Sequence, residues 1–102
     1  MEYGDAIKRI MQKRGAEKKM DIERDSFRRI VYILPEASMT FIEYTTLGQD
    51  GFPTIKREIT VSPTRGNDAQ AQDLEERLKR ELEHMVMTEI MHRQYQPHSL
   101  TG

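Results

Sequence analysis

The stretch NDAQAQDLEERLKRELEHMVMTEIMHR, residues 67–93, decides how the rest of the chain can fold. At 100° per residue, Ala71, Leu74, Leu78, Leu82, Met85 and Val86 fall within an arc of about 120°, the width of a helix stripe that packs on a core. Asn67 followed by Gln70 is a capping-box variant that starts such a helix. Asp73–Arg77, Glu75–Lys79 and Glu76–Arg80 are acid-first i,i+4 pairs, each adding about 0.2–0.5 kcal/mol. The face opposite the stripe starts as Asp73, Glu76, Arg80 and Glu83 and then turns apolar at Met87 and Met91. A helix on a single sheet has no use for that second patch. Over residues 69–92 the helix is about 36 Å long at 1.5 Å per residue, comparable with the width of a small domain, so one end is expected to project.

The residues before it alternate as strands do. Phe27 to Leu34 is rich in β-branched and aromatic side chains and stops at Pro35; the same residues also satisfy a helical template, but the following turn sequence favours a strand entering a hairpin. Met39 to Leu47 alternates Met39, Phe41, Glu43 and Thr45 against Ile42, Tyr44 and Thr46. Gly48-Gln49-Asp50-Gly51 is the strongest turn signal. Thr54 to Val61 follows, with Ile55, Arg57, Ile59 and Val61 inward. At the N-terminus, Asp5 reads as an N-cap and Ile7, Ile10 and Met11 as the buried side of a short helix closed by Gly15. Ala16 to Asp25 reads as a charged connector.

The expectation is therefore an α+β domain over residues 1–93: a short N-terminal helix, a three-stranded antiparallel meander and a long amphipathic C-terminal helix packed on the sheet. Its expected core is Val31, Phe41, Ile55, Ile59, Val61, Leu74, Leu78 and Leu82. Residues 94–102, without periodicity, read as a disordered tail.

Composition limits the function classes. Apolar residues make up 36% of the 102, below the usual ~45–50% even when the 6 glycines are added, so a monomer would have a modest core. The formal net charge is -1 but unevenly spread: nine Lys/Arg against six Asp/Glu in residues 1–34, three against four in 35–65, and four against seven in 66–102. Cysteine is absent, which excludes disulfides and thiol chemistry and fits a reducing cytoplasm. No apolar run reaches the ~18–20 residues of a membrane span, and no apolar leader is apparent at the start.

Catalytic signals are missing. None of the serines sits in a nucleophile elbow and no glycine loop has phosphate-binding spacing. Glu-x-x-His occurs at Glu81–His84 and Glu89–His92, the spacing used in helical di-iron proteins. The two copies lie on one helix about 12 Å apart at 1.5 Å per residue, with no source for the remaining ligands. No metal, cofactor or small-molecule substrate is expected, and no enzyme.

Two interaction readings remain. The first is a protein-interaction or assembly module, a regulator or adaptor that forms a homodimer or holds a partner protein through Met87, Ile90 and Met91 and through Tyr32 and Tyr44. The second is nucleic-acid binding through Lys8, Arg9 and Lys13 of the first helix and a sheet face shared by Arg28, Ile30, Tyr32, Ile42, Tyr44 and Lys56. The run Ile7 to Gly15 resembles the opening helix of a repressor-type helix-turn-helix, although no recognition helix follows. The order helix, three strands, helix is similar in layout to double-stranded-RNA-binding domains and to one class of nucleoid-associated proteins, with no motif residue in common.

Overall fold

The computed structural model of the protein describes residues 2–94, with side chains as far as His92. The elements in order are α1 (Tyr3–Lys13), β1 (Glu17–Arg24), β2 (Phe27–Ile33), β3 (Ala37–Leu47), β4 (Pro53–Pro63) and α2 (Asp68–Gln94). The expected tail, apart from Gln94, lies outside the described residues. The strands form one antiparallel sheet in sequence order, and both helices pack on the same face of it. The α+β class is as expected, but the sheet has four strands rather than three. The residues read as a connector form β1, joined to β2 through Asp25 and Ser26. This also removes the layout shared with double-stranded-RNA-binding domains.

Local chemistry sets the ends of both helices. α1 begins at Tyr3, earlier than Asp5, which lies in its first turn; Glu2 occupies the N-cap without a side-chain hydrogen bond. It ends in a Schellman motif: Gly15 at φ 68° lets its own N–H reach the Gln12 carbonyl and the Ala16 N–H reach that of Met11. The capping box of α2 forms in both directions, the Gln70 N–H donating to Asn67 Oδ1 at 2.8 Å and the Asn67 N–H to Gln70 Oε1 at 3.3 Å. The N–H groups of Thr64, Arg65 and Gly66 converge on the Glu36 carbonyl, fastening the loop before α2 to the β2–β3 turn. That anchor aims the helix across the sheet.

The core lies between this sheet face and the two helices. Ala6, Ile7, Ile10 and Met11 of α1, Ala71, Leu78, Leu82 and Val86 of α2, and Ile30, Tyr32, Met39, Phe41, Ile59 and Val61 of the strands are buried together. Three expected core positions differ. Leu74 is only half-buried at its edge, and Ile55, although on the helix side, is 53% exposed because β4 runs past the end of helix cover. Val31 faces the other way: Ile30 pairs with Phe41 and Tyr32 with Met39, which places Val31 beside Thr40 on the far face. β2 is apolar on both sides, so alternation alone leaves its phase undetermined. Replacing Leu78, fully buried at the centre of the α2 stripe, by Ala should destabilise the fold by about 2–5 kcal/mol in urea denaturation; a change under about 0.5 kcal/mol would show that α2 does not hold the core.

Candidate interaction surfaces

On the helix side, the titratable groups of β1 and β2 gather on Asp21. Lys8 Nζ approaches its Oδ2 at 3.0 Å, and Arg28 Nε and Nη2 reach its two oxygens at 3.4 Å each. The strand edge leaves the backbone of Asp21 open, but its side chain keeps only 20% of its surface and that of Arg28 only 13%. Burial pushes the Asp21 carboxyl up, but the hydrogen bonds from Lys8 and Arg28 outweigh it and hold the group below the usual range. Burial and then the Asp21 charge push the Tyr32 phenol up. Gly4 makes room for this cluster, since a Cβ there would stand 2.5 Å from Arg28 Nη1. Lys8 and Arg28, both paired with Asp21, thus close β1 onto α1.

Among the described residues no helix lies on the far face. Its rows follow from the register: Arg24, Phe27, Tyr44 and Lys56; then Ile22, Arg29, Ile42 and Glu58; then Met20, Val31, Thr40 and Thr60; then Glu17, Ile33, Ser38 and Ser62. Met20, Ile22, Phe27, Val31, Ile33, Ile42 and Tyr44 gather over the first three strands around Arg29, which stands between Ile22 and Ile42, and every one of them keeps some exposure. An antiparallel sheet covered on one side usually turns polar residues outward. This one does not.

A third surface is the end of α2, where Met87, Ile90 and Met91 are 50%, 40% and 52% exposed. A fourth is a cleft of about 710 Å³ where α2 diverges from β4. Phe41, Ile59 and Leu82 form its floor, Tyr3 closes one side, and Arg57, Glu75, Lys79 and Glu83 stand at its rim. Arg57 is held by Glu43 at 2.7 Å and stacks over the Tyr3 ring at 3.9 Å.

The structure separates residues that the sequence reading placed together. Arg28, Ile30 and Tyr32 do not share a face with Ile42, Tyr44 and Lys56; they point under the helices, and Tyr32 is only 5% exposed. The five proposed phosphate contacts divide three ways: Lys8 and Arg28 on Asp21, Arg9 and Lys13 exposed on α1, and Lys56 on the far face. Residues the sequence reading passed over, Met20, Ile22, Arg24, Phe27 and Arg29, supply much of that face. The signal for them was Met20 and Ile22 alternating with charges ahead of the Asp25-Ser26 turn. Among the described residues no group of three or more His, Asp or Glu side chains is arranged to hold a metal ion, and no helix is long and apolar enough to cross a membrane.

The carboxylates give a pH test. Glu75, which accepts the Val61 N–H at 2.9 Å and pairs with Lys79 at 3.2 Å, is held below its ordinary 4.5, first by the backbone hydrogen bond and then, against opposing burial, by Lys79. A lowered folded-state pKa stabilises above the unfolded value and is lost as pH falls through the folded one. Stability should therefore be level at neutral pH and decline below about 4.5, the ordinary value of Glu75, and further below 3.8, that of Asp21. Asp21→Asn should cost roughly 1–2 kcal/mol at pH 7, allowing for screening at the edge, and show a shallower acid decline. Denaturation curves from pH 7 to 3 that coincide for the two proteins would remove Asp21 from the stabilising network.

Comparison with protein-family models, with curated proteins and with solved structures finds no match to this chain.

Proposed function

We propose that the chain is a small, non-enzymatic protein-interaction module that assembles as a homodimer through the uncovered face of its sheet. The observation that carries this reading is the apolar area of Met20, Ile22, Phe27, Val31, Ile33, Ile42 and Tyr44 on the face away from both helices. Four strands about 4.8 Å apart and 7–11 residues long give a face of roughly 500–700 Å² before side-chain relief. That approaches the ~800 Å² per partner of a stable interface. The charges suit a self-complementary contact: Arg29 and Glu58 lie in one row on either side of Ile42, so a twofold-related copy can pair each with the other. Two sheets meeting this way would form a sandwich with aligned strands. The end of α2 lies on the other side of the sheet, so Met87, Ile90 and Met91 are left for a separate partner.

Light scattering on two variants tests this assignment. Val31→Glu/Ile42→Lys should give a folded monomer, whereas Met87→Glu/Met91→Glu should keep the dimer mass. A sheet-face variant that retains the wild-type mass, or a wild type that is monomeric at every concentration, overturns the sheet-face dimer.

One row of the same face favours nucleic acid as a second reading. Arg24, Phe27, Tyr44 and Lys56 stand side by side across all four strands, two rings between two cations. Rings of that kind stack unpaired bases, and flanking cations neutralise phosphates. Under this reading a single-stranded oligonucleotide binds with an affinity that falls with salt, and Phe27→Ala/Tyr44→Ala weakens it by roughly tenfold or more, at ~1–3 kcal/mol per stacked base. The absence of any anisotropy change at 50 mM salt removes it.

A further inference from the structure

The two edges of the sheet differ in a way that the dimer reading does not use. β1 is blunted: it is eight residues long, densely charged, and broken by a register shift between Lys18 and Met20. β4 runs eleven residues against β3 without interruption. The direction of its backbone groups follows from three hydrogen bonds. The Phe52 carbonyl accepts from Gly48, and the Thr45 N–H donates to Ser26 on the β2 side. The Val61 N–H turns away from β3 to Glu75. In an unbroken antiparallel ladder the same parity holds throughout, so Ile55, Arg57 and Ile59 direct their N–H and C=O groups outward. Glu75 caps this edge at Val61; of the next three outward-facing residues, Ile55 and Arg57 are exposed, and Ile59 keeps 7% of its surface.

Beside those residues lies the cleft between β4 and α2. Side chains directly opposite one another in an antiparallel pair share a face, so a residue paired with Ile59 from outside would point onto the floor of Phe41, Ile59 and Leu82. The charged rim is unequal. Lys79 is paired with Glu75 and Arg57 with Glu43, while Glu83 has no such pairing within the described residues. The site offers a row of main-chain donors and acceptors, one apolar socket and surplus negative charge.

We propose that the free edge of β4 takes an extended segment of a partner protein as a fifth strand, with one apolar side chain of that segment in the cleft and a lysine or arginine nearby facing Glu83. The docking is β-strand addition: hydrogen bonds to Ile55, Arg57 and Ile59 supply affinity, and the socket and acids supply selectivity. A second copy's β4 fits the edge less well, because it brings its own α2 alongside and repeats the same acids at the rim. The site lies on the helix side and edge of the sheet, so it stands independently of the far-face dimer.

The test uses the full chain and a phage-displayed library of random decapeptides, followed by fluorescence anisotropy with the enriched peptides. Enriched peptides should carry an apolar residue close to a basic one. N-methylation of peptide amides that face β4 should weaken binding by roughly tenfold or more, while methylation at the alternate amides should not. Arg57→Pro removes an outward N–H that makes no bond to β3, a place where an edge strand tolerates proline; it should abolish binding, while Arg57→Ala retains it. Val31→Glu/Ile42→Lys should still bind peptide, which separates failure of this site from failure of the dimer. No enrichment, indifference to the position of N-methylation, or a wild-type dimer that Arg57→Pro dissociates would each overturn the proposal, the last by showing that a second copy occupies the edge.

Discussion

A four-stranded sheet has two faces, and the described chain supplies two helices, both on the same one. Every other property of the molecule depends on that imbalance. α2 buries Ala71, Leu78, Leu82 and Val86 and α1 buries Ala6, Ile7, Ile10 and Met11, so the covered face is completed by two stripes of about four residues each. Closing the covered side into a dry core required the helices to touch each other as well as the sheet. The Arg14–Glu81 pair at 3.0 Å marks where they meet. Among the described residues no further helix covers the other face, and its apolar residues are left partly exposed.

The second constraint is ionic. β1 contributes no fully buried side chain, yet it pairs with β2 from Glu17 to Arg24. What ties it to the helix layer is Asp21, reached by Lys8 from α1 and by Arg28 from β2. Two neighbouring cations and a carboxylate with little exposed surface substitute there for an apolar contact. The choice suits an edge, where a hydrophobic strand would invite pairing with other chains.

The same chemistry explains what could be read from the sequence. The long helix, its capping box and its buried stripe follow from periodicity, and they stand where the pattern puts them. The inward residues of β3 and β4 follow from clean alternation. β1 was hidden because an edge strand that packs through charge has the composition of a loop. The phase of β2 was hidden because Phe27 to Ile33 is apolar on both sides, and that is also why its outward half belongs to a surface rather than the core. The candidate site was legible only in part: Tyr44 and Lys56 sit on the open face as read, but their true neighbours Phe27 and Arg24 emerge only once β1 and β2 are paired.

The long helix gains its two-part character from the same geometry. Among the described residues its buried positions stop at Val86. Beyond that point a helix that served only the core would become polar, as its outer face already is at Asp73, Arg77 and Arg80. Instead Met87, Ile90 and Met91 follow, all at least 40% exposed. An apolar end on an otherwise charged helix is a local feature, not a general failure to exclude hydrophobic residues from the surface. The apolar area lies on one face of the sheet, the exposed end of α2 on the helix side, and the edge of β4 between them.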